Sequence, residues 1–251
     1  MKKILSTVLC GLLFVAGSAP AWALGPVDID ASLDLYNKYV WRGMIANPDA
    51  VLQPDLSASL LGIGVGFWGN VDLTDIHDNA WNFTEVDYTA SYGLSLPLLD
   101  LAGGLIHYDF PNSEAPATTE FFVAATANVL LSPSVTYYYD FDEIDGAYLA
   151  LSASHATPLT PAIDLEIGAN LGIGSDGWHT GYFGVGTDPA SGTGTTDLLV
   201  RAAAPIKAIP IVTITPSVAY STLLSKAKDA VKSAGGDTDA VIFGLGASVS
   251  F

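Results

Sequence analysis

Apolar residues alternate with small or polar ones through most of this chain. The clearest segment runs from Val241 to Phe251, where every odd position is apolar and every even one is glycine or serine, apart from Ile242. Because successive side chains of a β-strand point to opposite faces, this segment has one apolar and one small, polar face. The pattern predicts a strand that separates lipid from a wet interior.

The segment 27–42 predicts a first strand of the same kind. Its two faces differ in charge: Asp28, Asp30, Asp34, Lys38 and Arg42 share one, and Ile29, Leu33, Leu35, Tyr39 and Trp41 share the other. Asn37 interrupts the apolar face. A charged side chain on the lipid side costs up to about 4 kcal/mol near the bilayer midplane. We therefore expect the charged face to line an aqueous lumen.

The alternation continues through twelve segments. They are 27–42, 51–60, 63–74, 82–96, 100–110, 118–129, 134–142, 146–157, 162–174, 196–205, 210–223 and 241–251. Tight turns alternate with longer polar connections, and an even strand count returns both ends of the chain to the periplasm. The sequence predicts an all-β fold, a transmembrane antiparallel up-and-down β-barrel of about twelve strands. Pro54 and Pro216 lie inside proposed strands, and each removes a ladder hydrogen bond, so those boundaries stay open.

The N-terminus has the pattern of a secretory signal. Lys2 and Lys3 precede an apolar run over residues 4–16, and Ala21-Trp22-Ala23 forms a cleavage motif. The run is shorter than the roughly 20 residues of a spanning helix. We expect a signal peptide over residues 1–23, cleavage near Ala23, and a barrel over 24–251 in the outer membrane of a Gram-negative bacterium. Cleavage removes Cys10, the one cysteine, and with it any disulfide or thiolate metal site.

Charge narrows the classes of function. The chain has 26 acidic and 9 basic residues, a net charge of −17. This balance opposes nucleic-acid binding, which needs a basic surface. The alternation predicts eleven pore-lining candidates, namely Asp34, Lys38, Arg42, Asp72, Glu85, Asp87, Asp109, Glu120, Asp140, Glu166 and Arg201. Since carboxylates in a pore favour cations, we expect a cation-preferring channel for passive diffusion of small solutes.

A closed barrel is the alternative, in which the same carboxylates form a hydrogen-bonded plug and the extracellular loops carry a structural or adhesive role. Twelve strands lie between eight, which enclose little more than side chains, and sixteen, which leave an open channel. Interior glycines either leave space or allow close backbone approach. The proposed lumen glycines are Gly64, Gly66, Gly103, Gly168, Gly172, Gly244 and Gly246. Both interpretations stay open.

Aromatic residues near the predicted strand ends indicate interfacial girdles. They are Tyr39, Trp41, Tyr88, Tyr92, Tyr108, Phe110, Tyr137, Tyr139 and Phe141. We expect membrane lipid, lipopolysaccharide and small solutes as partners. Lys226, Lys228 and Lys232 lie in the last long loop and either contact lipopolysaccharide phosphates or are simply solvated.

No hydrolase motif is found, so we expect neither an enzyme nor a cofactor. His77 and His179 fall in loops, and His107 with Asp109 is a pair on one predicted strand face.

Four segments resemble the TorF-type porin family. They are Tyr36–Gly43, Leu52–Pro54, Gly66–Asp72 and Glu85–Tyr88, with Gly69 where that family often has serine. The resemblance implies an outer-membrane channel of undefined solute and directs attention to Arg42, Asp72, Glu85 and Asp87. The resemblance implies that Arg42 either belongs to a structural ion pair across the lumen or determines the selectivity of the channel. The terminal Phe251 resembles the C-terminal signal that outer-membrane barrels present to the barrel-assembly machinery.

Overall fold

The computed structural model describes residues 27–76, 78–184, 192–209 and 211–251. The predicted signal peptide, its cleavage site near Ala23 and His77 lie outside these residues. In chain order the elements are β1 (Asp28–Tyr36), β2 (Tyr39–Trp41), β3 (Met44–Asn47), β4 (Val51–Leu60), β5 (Ile63–Asp72), β6 (Phe83–Ser95), β7 (Leu99–Asp109), β8 (Thr118–Ala127), β9 (Ser134–Asp140), β10 (Gly146–Thr160), β11 (Ile163–Gly174), α1 (Asp176–Phe183), β12 (Gly194–Ala203), β13 (Ile206–Ile209), β14 (Val212–Leu223), α2 (Ser225–Ser233) and β15 (Asp239–Ser250).

Within the described chain, twelve antiparallel strands form a closed barrel. The wall consists of β1, β4 to β12, β14 and β15, each hydrogen-bonded to the next, and β1 pairs with β15 to close the ring. The short strand β13 extends the pairing beside β14 and touches β11 at one residue. A closed barrel pairs the backbone groups that hydrocarbon cannot satisfy, so the closure confirms the fold that the alternation predicts.

The outer face of the wall is apolar. In β15 the side chains of Val241, Phe243 and Leu245 are exposed, and Ile242 faces the interior and is buried. Exposed leucine, valine and aromatic side chains continue around the other strands. Neither helix of the described chain is long and apolar enough to cross a membrane.

The strand prediction is confirmed closely except at the first strand. The predicted 51–60 coincides with β4, whereas β1 ends at Tyr36 rather than at 42. Asn37 causes this end: its Nδ2 donates to the Val241 carbonyl at 3.3 Å, and its Oδ1 accepts from the Phe243 amide at 2.7 Å. The side chain takes the place of continued strand pairing, and the chain then leaves the wall as a separate β2–β3 hairpin.

Both prolines lie inside wall strands and point outward. The β4–β5 ladder has no paired residues between Leu52↔Val71 and Asp55↔Trp68, which is where Pro54 removes a donor. Pro216 is opposite Leu245, and its carbonyl accepts from the Ala204 amide at 3.0 Å. Neither proline therefore marks a strand boundary.

The predicted register of β7 is wrong by one residue. Ile106 and Tyr108 face inward and are buried, whereas His107 and Asp109 lie on the outer face, exposed. A one-residue slip moves every side chain to the other face. The sequence is ambiguous here because Leu105 and Ile106 are both apolar, and Ile106 packs inside the barrel in a cluster of aromatic side chains. Gly103 is displaced outward by the same slip.

The aromatic girdle is correct only in part. Tyr88, Tyr92, Tyr137 and Phe141 are exposed. Three of the other predicted members lie in the barrel interior, namely Tyr39, Trp41 and Tyr108.

The two halves of the lumen differ. The half toward the long connections, which we call the loop half, is filled, with Asp72, Tyr108, Asp140 and Tyr148 all buried. The half toward the chain ends is lined by small hydroxyl side chains that are only half-buried, Ser57, Ser59, Ser91, Thr126, Ser134, Ser154, Ser217, Ser248 and Ser250. The interior therefore consists of a packed loop half and a polar half toward the chain ends, which we call the funnel.

The faces of β7 and β8 predict unequal effects of one added charge, because Leu105 lies on the outer face of β7 and Thr126 on the inner face of β8. Leu105→Arg places a charge on the lipid face and should lower the free energy of unfolding by about 2–4 kcal/mol. Thr126→Arg places the same charge in the funnel and should have a much smaller effect. Urea unfolding in lipid vesicles measures both, and equal losses would contradict the register.

Candidate functional site

A tight hairpin folds from the rim into the lumen. β2 and β3 are joined by Arg42 and Gly43, whose φ angles are +45° and +84°. Two positive φ values are those of a type I′ turn, which glycine adopts readily and arginine does not. A Cβ on Gly43 would lie 2.6 Å from the Asp197 Cβ and 2.6 Å from the Leu223 Cδ2. The hairpin tip therefore reaches the wall at β12 and β14.

Arg42 holds the tip to another part of the wall. Its two terminal nitrogens donate to the two carboxylate oxygens of Glu120 on β8, at 2.8 and 2.7 Å. Tyr108 donates its hydroxyl to the same carboxylate at 3.0 Å. The Arg42 and Glu120 side chains are 8% and 1% exposed. A buried bidentate pair of this kind is strongly directional, so the contact fixes both the position and the orientation of the tip.

Aromatic rings enclose the same guanidinium. The Arg42 Cζ lies 4.4 Å from the ring centroid of Trp41, 4.5 Å from that of Tyr138 and 4.4 Å from that of Tyr148. Each such contact contributes about 0.5–2 kcal/mol, more where water is excluded. The rings and Glu120 together compensate for the strained backbone of Arg42, whose left-handed conformation costs roughly 1–2 kcal/mol.

Helix α1 fills the lumen from the other side. Ser175 caps it by accepting from the Trp178 amide at 3.3 Å, and Trp178 is fully buried with its ring 5.1 Å from Tyr148 and 6.3 Å from Trp41. His179 lies 3.0 Å from the Thr196 hydroxyl, and burial lowers the pKa of its imidazole. Hairpin and helix thus meet at Trp41 and Trp178.

A polar network supports the base of the hairpin. Gln53 donates to Asn70 at 3.0 Å, and Asn70 and Thr84 donate to Asp72 at 3.0 and 3.1 Å. Above this network a cavity of about 440 Å³ opens at the loop half, which we call the vestibule; it is lined by Tyr39, Ala46, Asn47, Asn70, Asp72, Asn79, Thr84, Glu85, Phe110, Asn112 and Ser113. The vestibule lies on one side of the hairpin.

A second, smaller cavity lies around the hairpin. Asp34, Asp55, Asn170 and Asp197 contribute to its lining, and Tyr148 donates to Asp197 at 2.8 Å. Arg201 donates a hydrogen bond to the Tyr36 hydroxyl and interacts electrostatically with Asp34. Asp34 thus interacts with one buried arginine, Arg201, and Asp197 interacts with the other, Arg42.

Side chains from neighbouring strands cover three of the lumen glycines. A Cβ on Gly172 would lie 2.1 Å from Asp197, one on Gly244 would lie 2.3 Å from Tyr36, and one on Gly246 would lie 2.1 Å from Asp34. These positions therefore serve close packing and do not leave open space, which decides between the two interpretations at those three glycines.

The structure brings most of the predicted site residues into the interior. Those with interior side chains on the wall are Asp34, Asp72, Glu85, Asp87, Glu120, Asp140, Glu166 and Arg201. Asp140 accepts from Thr118 at 2.7 Å and from the amides of Asp142 and Ile144 at 3.0 and 3.2 Å, so it fixes a loop.

Three candidates differ from the prediction. Lys38 lies in the bend after β1, and Arg42 lies on the hairpin tip, because the first strand ends early. Asp109 is on the outer face.

The sequence prediction missed the aromatic partners of the site. The sequence pattern assigns Trp41 and Tyr108 to a girdle and gives Trp178 and Tyr148 no role. The available signal was the Arg42-Gly43 pair between short apolar segments, which is compatible with a two-residue hairpin turn. The aromatic contacts have no local signal because they join distant strands.

Comparison with solved structures places the fold among outer-membrane porins. The KdgM porin aligns with a TM-score of 0.54 and 15% identity over 89% of this chain and 99% of its own. The KdgM porin in complex with disordered oligogalacturonate gives 0.53 and 13% over 89% and 99%. The NanC porin gives 0.52 and 11% over 88% and 98%. No protein-family model and no curated protein matches the chain, so the resemblance to the TorF-type family stays a prediction.

The Arg42–Glu120 pair predicts a large cost for removing one partner. Glu120→Gln leaves the Arg42 charge buried without its carboxylate and should lower the free energy of unfolding by about 3–5 kcal/mol. The double variant Arg42→Met/Glu120→Gln should lose less, because no charge stays buried. Urea unfolding in vesicles measures both.

The matched control is the exposed pair between Lys207 and Asp164, 3.1 Å apart. Lys207→Gln should cost at most about 1 kcal/mol. A Glu120→Gln cost no larger than this control would show that the buried pair does not hold the hairpin.

Proposed function

We propose that this protein is an outer-membrane channel for passive diffusion of small solutes. The β2–β3 hairpin, which connects the wall strands β1 and β4, narrows the channel. The observation that carries the proposal is the β2–β3 hairpin, folded into a porin-type barrel and held there by Arg42 and Glu120. A barrel of twelve strands has a wider interior than one of eight, which its own side chains fill. A hairpin inside it reduces the cross-section and brings polar groups into the solute path.

We propose a preference for cations. Acidic side chains dominate the interior, and Glu120 neutralises one of the two interior arginines, Arg42. Carboxylates at Asp34 and Asp55 line the smaller cavity together with the hairpin residues Tyr39 to Gly43. Since rings of carboxylates favour cations and repel anions, this lumen should disfavour a polyanion such as the oligogalacturonate bound to the KdgM porin.

A closed barrel acting through its loops is the second candidate. It is favoured by the packing of the loop half, where Trp178 is fully buried between the hairpin and β10. In that case the hairpin and α1 are a permanent plug.

We also propose the partners expected from the sequence. Lys232 is exposed on α2, where it can reach lipopolysaccharide phosphates, whereas Lys228 is bound to Asp239 at 3.3 Å. Phe251 is exposed at the end of the chain, beside β15. An exposed terminal phenylalanine is accessible to the barrel-assembly machinery. Outer-membrane placement follows from the apolar outer face of the barrel.

Planar-bilayer recording distinguishes the two candidates. The folded protein should give discrete conductance steps, and under a salt gradient its reversal potential should have the sign of a cation-preferring pore. Protein that is folded by circular dichroism and electrophoretic mobility but passes no current would support the plug. A reversal potential of the opposite sign would reject the cation preference alone.

The carboxylates beside the hairpin should set the selectivity. Asp34→Asn/Asp55→Asn removes two charges from beside the hairpin and should lower the cation-to-anion permeability ratio, because fewer fixed charges repel anions. The control Asp142→Asn/Glu143→Gln removes two charges from an exposed loop and should leave the ratio nearly unchanged in molar salt, where screening acts within about 3 Å. Equal effects of the two pairs would contradict the assignment.

A further inference from the structure

The vestibule is a built cavity with the composition of a binding site. Its volume of about 440 Å³ lies within the range of small-molecule sites, roughly 300–1,000 Å³. Amide, hydroxyl and carboxylate side chains line it together with the rings of Tyr39 and Phe110, and no lysine or arginine is among its described lining residues. Polar groups beside aromatic rings suit a solute with many hydroxyls and an apolar face.

The hydrogen-bonding capacity of the vestibule indicates what a ligand must supply. Asn79 and Asn112 use their amide nitrogens on backbone carbonyls, at 2.8 and 3.0 Å, which leaves their carbonyl oxygens as acceptors. Asp72 and Glu85 add carboxylates. A lining rich in acceptors favours a ligand that donates hydrogen bonds, and the carboxylates oppose an anion.

One buried donor in the lining lacks a partner. The Asn47 side chain is 1% exposed, its Oδ1 accepts from the Asp49 amide at 2.8 Å, and its Nδ2 has no hydrogen-bond partner among the described residues. A buried donor left unsatisfied costs about 1–3 kcal/mol, so a ligand oxygen that reaches it gains affinity.

We propose that the vestibule binds a neutral saccharide ring. Hydroxyl groups donate to the side-chain carbonyl oxygens of Asn79 and Asn112, a ring or hydroxyl oxygen accepts from Asn47, and the apolar face of the ring packs on Tyr39 or Phe110. The inference deepens the proposed function, on which it rests, by naming a class of solute that pauses at the channel mouth.

Saturation-transfer difference NMR on the folded protein in detergent micelles tests the site directly. Galactose and galacturonate are matched probes because they differ only at C6, a hydroxymethyl group in one and a carboxylate in the other. Galactose should show transferred saturation and galacturonate should show at least a tenfold weaker signal at neutral pH. Equal signals from the two sugars, or none from galactose, would overturn the proposal.

Two variants locate the binding. Ala46→Trp fills the vestibule from an exposed position and should abolish the galactose signal, whereas the control Ala169→Trp adds the same ring to the outer face of β11 and should not. Asn47→Asp keeps the acceptor for Asp49, removes the donor, and should raise the galactose Kd roughly fivefold. Undiminished binding to Ala46→Trp would place the sugar elsewhere and contradict the site.

The NMR readout does not depend on conduction. A protein that conducts ions but does not bind galactose would keep the proposed channel and refute this inference. One that binds galactose in the vestibule and never conducts would refute the channel and keep the site.

Discussion

The contact between Arg42 and Glu120 determines whether the β2–β3 hairpin occupies the interior of this barrel. Without it, residues 37–47 would be an ordinary surface connection above a wide lumen. With it, a strained turn stays inside the barrel, because two charge-assisted hydrogen bonds and three aromatic rings compensate for a desolvated guanidinium and a left-handed backbone. The vestibule, the small cavity with Asp34 and Asp55, and the contact between Trp41 and α1 all depend on the position of this tip.

The barrel wall permits this arrangement because its stability places few demands on the side chains of the inner face. Lipid dictates apolar side chains outside and complete backbone pairing, and the ring from β1 round to β15 satisfies both. Inside, short residues such as Gly172, Gly244 and Gly246 give room for Asp197, Tyr36 and Asp34 to lie across neighbouring strands. The loop half can then be packed like a protein core, while serines keep the other half open and polar.

The sequence predicts the wall well and the interior poorly, for a physical reason. Alternation is a local signal imposed by lipid, so it identifies the boundaries of strands such as β4 and the exceptional inward Ile242. It fails at β7, where Leu105 and Ile106 are both apolar and aromatic side chains pack around Ile106 in the interior. It fails again after Tyr36, where an asparagine side chain ends the strand. The pairing of Arg42 with Glu120 joins residues far apart in the chain, and no local pattern specifies it.

Conduction through this barrel depends most on whether the hairpin obstructs a lumen that would otherwise be wider. Residues 39–46 form a sheet of their own, so their replacement by a short glycine-serine turn leaves the pairing of the wall strands intact. Single-channel conductance of this variant, compared with the intact protein in the same bilayer and salt, is the most direct measurement. We predict a several-fold larger conductance. An unchanged conductance from a correctly folded variant would contradict the account.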